Sequence, residues 1–173
     1  METTYWESAK PLFDKVEIGG KERAFKASIK SIPRPLTIVW AAHFCLSEVH
    51  NGGLVQFVWN STGMIAPEAI DGFEAVGMSA LAAAVKSAAS VLGTRYPRVR
   101  DDRWDALLAA GGLTTGELEA IFTRSKNLYI SFAESTRELG WDKLNKTINA
   151  LAEDENGGFG TAATQYLRAL KLA

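Results

Sequence analysis

Residues 43–61 hold most of the side chains suited to chemistry: His43, Cys45, Glu48, His50, Asn51, Gln56, Asn60 and Ser61. Two histidines beside a carboxylate invite a metal site, or a small-ligand or hydrolytic centre around Glu48, His43 and His50. The spacing opposes the metal. Ligand pairs on one helix sit three or four residues apart, whereas seven residues separate two imidazoles by about 10 Å along the axis. Two part-buried histidines bonded to backbone or to Ser47 and Glu48 is the expected arrangement, and no metal is assigned. A hydrolytic or ligand-binding centre needs a pocket that exposes all three side chains together. Cys45 sits in an apolar run with no basic neighbour to lower its pKa, which predicts packing rather than nucleophilic attack.

Glu48, Asn51, Gln56 and Asn60 are polar groups set among Val49, Leu54, Val55, Phe57, Val58 and Trp59. Leaving such groups buried and unpaired costs on the order of 1–3 kcal/mol each. They are therefore expected to bond to one another, or to the backbone freed at the Gly52-Gly53 corner, tying two helices across a tight turn. A ligand or partner site is the alternative. Gln56 and Asn60 are four apart and share a helix face. Elsewhere no glycine-rich phosphate loop, Cys-x-x-Cys pair or Gly-x-Ser-x-Gly elbow occurs. The acidic loop from Glu153 to Gly158 lacks the alternating oxygen ligands of an EF-hand and reads as a solvated helix end. No catalytic residue and no cofactor is assigned.

The elements that must position these groups are helical. The N-terminal stretch has Trp6, Leu12, Phe13 and Val16 as inward positions and ends at Gly19-Gly20. A basic linker, Lys21 to Arg34, follows. Pro33 and Pro35 suit the first turn of the next helix. From Leu36 to Val49 nearly every residue is apolar, the pattern of a helix buried on all sides. Asn51-Gly52-Gly53 permits positive φ and turns the chain into a second helix, Leu54 to Asn60. Ser61-Thr62-Gly63 is a stop, Ala66 to Val76 is another helix, and Ser79 is placed to cap the alanine-rich run to Leu92. Asp101-Asp102 open a helix carrying Trp104, Leu107 and Leu108. Further helices are expected from Thr114 or Thr115 towards Phe132, from Trp141 to Leu151, and after Gly160. The expected fold is all-α, with seven or eight helices around a buried central one. All of residues 1–173 are expected to form one domain: a motif-bearing core at 35–95, an N-terminal helix and linker at 1–34, and C-terminal helices at 96–173.

Composition agrees with a globular chain. It has 173 residues, 47% hydrophobic and 23% charged, enough to bury a core without a disulfide or metal. Nineteen basic and twenty acidic residues give a net charge of −1, too weak a field to point to nucleic acid or a membrane. A single cysteine, and no apolar leader after Met1, make the cytoplasm the expected location. No apolar run approaches the roughly 20 residues that span a bilayer.

The segment Ser47 to Gly63, carrying Glu48, Asn51-Gly52-Gly53, Gln56, Asn60-Ser61 and Gly63, resembles a family of bacterial domains of unknown function that includes a DNA-mimic protein. The likeness is strongest over residues 35–95. It implies an all-α domain without catalytic residues. In the named member an acidic dimer surface imitates DNA and occupies a DNA-binding regulator. The expectation is a protein-binding module, with DNA mimicry as its sharper form and a homodimer as one outcome. Glu68, Asp71, Glu74, Asp101, Asp102 and Asp105 are the candidate acidic face, against the alternative of an ordinary mixed-charge surface. Direct nucleic-acid binding ranks last, since it would need Lys21, Arg23, Lys26, Lys30 and Arg34 on one face with stacking aromatics, and only Phe25 is interleaved.

Overall fold

The computed structural model describes residues 3–112 and 139–173, with Gly116, Glu117, Ala120 and Thr123 besides. The helix expected between Thr114 and Phe132 lies largely outside the described residues. Within them the chain is all-α, with eight α-helices and no strand. In chain order they are α1 (Tyr5–Ala9), α2 (Glu22–Ile29), α3 (Arg34–Trp59), α4 (Ala66–Ala75), α5 (Ser79–Ser90), α6 (Arg100–Ala110), α7 (Trp141–Asp154) and α8 (Phe159–Ala169). Short 3₁₀ turns occupy Lys10–Leu12, Ser61–Ile65 and Glu155–Gly157.

The central helix is α3, which begins after Pro33 with Pro35 in its first turn. Its apolar run buries Ile38, Val39, Trp40, Ala41, Ala42, Cys45, Leu46 and Val49. It packs against α1, α4, α6, α7 and α8, so an all-round apolar surface finds partners on every side. One hydrophobic cluster runs from Ala9 through these residues to Leu167. No helix among the described residues is long and apolar enough to cross a membrane.

The Asn51-Gly52-Gly53 corner is a kink inside α3. Gly52 has φ −156° and ψ 17°, and Gly53 has φ +76° and ψ −175°, a backbone open almost solely to glycine. The kink frees the Leu54 N–H, which donates to Asn145 Oδ1 of α7 at 2.9 Å. A residue from 91 positions away thus caps the second half of the helix.

Four expectations are corrected. The segment 21–34 is not a linker along its whole length, because it contains α2: Phe25 and Ile29, four apart, share an inward face, while Lys21, Arg23, Lys26 and Lys30 stay exposed. Phe13 is 48% exposed, although its ring packs on Phe44 and Trp6 at centroid distances of 4.6 and 5.7 Å. Ser79 does not cap α5; it is the first helical residue and makes no capping bond. The cap is Glu155, whose two carboxylate oxygens each accept a backbone bond, from Ala80 and Leu81, both at 2.8 Å. The acidic loop is therefore a latch rather than a solvated helix end, and Asn156 Nδ2 adds a bond to the Val76 carbonyl at 2.8 Å.

An acid at a helix N-terminus gains from both the free N–H groups and the dipole. Glu155→Ala is expected to lower stability by about 1 kcal/mol, or roughly 2–4 °C in thermal unfolding. A melting curve unchanged from the parent would show that water replaces the carboxylate without loss.

Candidate functional site: a carboxylate hub at the helix corner

Glu48 lies on the first half of α3, Gln56 on the second half, Asn60 just beyond it, and Thr62 on the following 3₁₀ turn. On a straight helix, residues eight apart are separated by about 12 Å along the axis. The kink at Gly53 folds that distance away. Gln56 Nε2 donates to Glu48 Oε2 at 2.6 Å, Asn60 Nδ2 to the same oxygen at 2.9 Å, and Thr62 Oγ1 to Oε1 at 2.6 Å. A carboxylate offers about four lone-pair sites, and three of them are filled by the chain's own donors. The Glu48 carboxylate is the point on which the three donors converge, and acting as a base would require it to give up those bonds.

The structure thus brings Glu48, Gln56 and Asn60 together. Asn51 is exposed and makes none of these bonds. Gly52 and Gly53 form the corner itself, and Ser61 is half-buried beside Gly19 rather than at the hub. Thr62 is a member that sequence reasoning missed, as it reads there only as a turn residue.

A second missed residue completes the arrangement. Arg103, on α6, is fully buried. Its Nε donates to the Val58 carbonyl at 3.0 Å, Nη2 to the Asn60 carbonyl at 2.8 Å and Nη1 to the Arg98 carbonyl at 2.5 Å. Burial pushes its pKa below the ordinary arginine value, but the carbonyl end of α3 presents the negative pole of the helix dipole to the guanidinium. Asn60 links the two charges, with its amide on Glu48 and its carbonyl on Arg103. Gly63 sits in the angle between them, where an added Cβ would lie 2.5 Å from the Phe57 carbonyl oxygen and 2.9 Å from Arg103 Nε. Tyr96 and Arg98 pin the same turn, through the Gly63 and Met64 carbonyls at 2.7 and 2.9 Å.

The histidines belong to a different surface. His43 and His50 line a groove of about 360 Å³ with Tyr5, Ser47 and Glu153, and Glu48 does not line it. His43 Nδ1 shares a 3.2 Å hydrogen bond with the Tyr5 hydroxyl and packs on the Trp6 ring at 4.5 Å, so it holds α1 in place. His50 is exposed. Among the described residues no three His, Cys, Asp or Glu side chains converge as a metal site requires. Cys45 is buried, and burial pushes its thiol well above the ordinary value.

Burial likewise lowers the pKa of His43 below 6.5. The folded state then binds fewer protons than the unfolded chain, so stability is fully present above about pH 6.5 and falls as pH drops from there towards the folded-state pKa. His43→Gln, which cannot titrate, is expected to flatten the slope of stability against pH below about 6.5. Equal slopes in urea titrations of parent and variant would remove His43 as the cause.

The candidate acidic face is partly neutralised. Arg98 grips Glu68 with two bonds of 2.8 and 2.9 Å, and Arg34 pairs with Asp71 at 2.7 Å. Glu74, Asp101, Asp102 and Asp105 are exposed. In the basic cluster, Lys26 pairs with Glu22 at 2.7 Å. Phe25 is fully buried beneath α2 and has no face open to a nucleobase.

The model of DMP19-like proteins matches residues 30–170. The chain belongs to the DMP19-like family. This is the DNA-mimic family that the Glu48 to Gly63 motif resembles. No curated protein and no solved structure matches the chain. The DMP19-like match takes in the hub, the corner, Arg103 and both histidines, whereas α1 and α2 precede it.

Proposed function

We propose that this DMP19-like protein is a protein-binding module, acting in the cytoplasm as one domain, that occupies a DNA-binding partner through its helical surface. Membership of a DNA-mimic family carries the reading. The hub supports it, because the polar groups that most resemble a site are bonded to one another and leave the exposed helix faces to make contacts. The contact surface is assigned to the exposed acids Glu74, Asp101, Asp102 and Asp105. Glu68 and Asp71 serve instead as partners of Arg98 and Arg34. No catalytic step or cofactor is assigned. A small-ligand or hydrolytic centre would need Glu48, His43 and His50 in one pocket, and the groove that takes both histidines leaves Glu48 out.

The test is affinity capture from native lysate with and without nuclease, followed by mobility-shift competition with the recovered protein. A nuclease-insensitive partner that duplex DNA displaces is expected, and the triple variant Asp101→Asn, Asp102→Asn, Asp105→Asn should bind it more weakly and with a smaller salt dependence. Capture abolished by nuclease, or a triple variant that binds like the parent, would overturn the reading.

A further inference from the structure

The chain holds two Asn-Gly pairs, Asn51-Gly52 and Asn156-Gly157. Such a pair carries its own chemistry. The backbone nitrogen of the glycine attacks the asparagine Cγ, and without a Cβ on the glycine nothing hinders the approach. The N–Cγ bond forms, the Cγ–Nδ2 bond breaks, and ammonia leaves with the glycine amide proton. Water then opens the resulting imide at either carbonyl, which gives aspartate or isoaspartate. One water is consumed and one ammonia released, with no change of oxidation state.

The fold treats the two pairs differently. Closing the imide requires the asparagine ψ to rotate out of the helical range. Asn51 has helical backbone inside α3 and immediately precedes the corner at Gly52 and Gly53. Rotation there would disturb the buried Leu54 and its bond to Asn145. Asn156 is exposed and lies outside any α-helix, at φ +53° and ψ +32°. That left-handed backbone already carries a cost for a residue with a Cβ. Gly157 and Gly158 follow at φ +78° and +85°, and both can reorient without a Cβ clash.

The hydrogen bond that ties the Asn156 side chain down is the one the reaction removes. Its Nδ2 donates to the Val76 carbonyl, just past the end of α4, at 2.8 Å. Gly77 makes room for it, since a Cβ there would lie 3.1 Å from Nδ2. The preceding residue, Glu155, caps α5 through Ala80 and Leu81. Consecutive residues therefore hold both sides of the turn between α4 and α5.

We propose that Asn156 is a deamidation site, and that its conversion to a carboxylate opens the latch between the 155–158 loop and the α4–α5 turn. The product replaces an N–H donor with an anionic oxygen facing the Val76 carbonyl. It also places negative charge at the C-terminal end of α4, the end where the helix dipole disfavours it, and beside Glu153, Asp154 and Glu155. Isoaspartate adds a main-chain carbon as well, which shifts Glu155 relative to Gly157. The proposal does not rest on the protein-binding reading, and each can fail without the other.

The test follows both asparagines by peptide mapping of the full chain held in mildly alkaline buffer, with aspartate and isoaspartate forms separated and released ammonia assayed. In concentrated guanidinium, where neither pair has structure, both should convert at similar rates. In the folded protein Asn156 should convert at least about tenfold faster than Asn51, whose reaction waits on opening of the core. Folded protein in which Asn51 converts as fast as Asn156, or in which Asn156 stays intact while the guanidinium sample converts, overturns the site. Asn156→Asp installs the product carboxylate directly. It should speed hydrogen exchange at the Ala80 and Leu81 amides about tenfold and lower the melting temperature by roughly 3 °C. Exchange at those amides equal to the parent's would overturn the opening of the latch.

Discussion

Arg103→Leu is expected to lower the free energy of unfolding by about 3–5 kcal/mol, because it removes the guanidinium donor from the carbonyls of Val58, Asn60 and Arg98 inside the core. Among the described residues only the Asn60 carbonyl keeps a second donor, the Gly63 N–H at 3.0 Å. For a chain of this size the loss corresponds to roughly 10 °C in melting temperature. The effect should spread beyond α6. The Asn60 carbonyl is tied to Arg103 while its amide holds Glu48, so releasing one end loosens the other. Arg103→Lys keeps a charge but cannot reach carbonyls from three directions with one planar fork, and should recover less than half of the loss. Chemical denaturation of both variants measures this. A leucine variant as stable as the parent would mean that the carbonyls find water, and that the guanidinium holds nothing together.

Gly53→Ala is expected to cost about 3 kcal/mol, from two separate sources. A backbone at φ +76° and ψ −175° is strained for any residue with a Cβ, at about 1–3 kcal/mol. The new methyl would also lie 2.5 Å from Asn145 Nδ2. Asn145 cannot move aside freely, because its Oδ1 caps the Leu54 N–H, and losing that bond adds about 1 kcal/mol. A double variant separates the two: on an Asn145→Ala background the steric part disappears, so Gly53→Ala should cost less there than in the parent. Identical costs on both backgrounds would place the whole effect in the backbone.

The elements legible in the sequence are those with local causes. Pro33 and Pro35 mark the start of α3, its unbroken apolar run marks it as central, and the paired glycines mark its corner. Gln56 and Asn60 declare themselves by their four-residue spacing, and Glu48 by being a charge in apolar company. The residues that escaped notice are those whose roles depend on distant parts of the chain. Arg103 stands in the run Arg98-Val99-Arg100-Asp101-Asp102-Arg103, which reads as a solvated charged stretch. Its only local signal is that it lies four before the buried Leu107 and so shares that inward face. Glu155 caps residues 75 and 74 positions earlier, and nothing near either end announces it. Thr62 could have been found by counting donors, since a carboxylate held by two side-chain amides still has an oxygen to satisfy. The separation of the histidines from Glu48 depends on which side of α3 each faces, and α1 supplies Tyr5 and Trp6 from outside the motif.

The claim that the Glu48, Gln56, Asn60 and Thr62 cluster is scaffold, leaving function to the surface, is tested most directly by urea unfolding of Asn60→Ala. Losing a hydrogen bond to a carboxylate should lower stability by about 2 kcal/mol, with the denaturant slope unchanged because the fold and its buried surface remain the same. An unfolding midpoint equal to that of the parent would contradict the claim, and would return Glu48 and its neighbours to the role of a site that awaits a ligand.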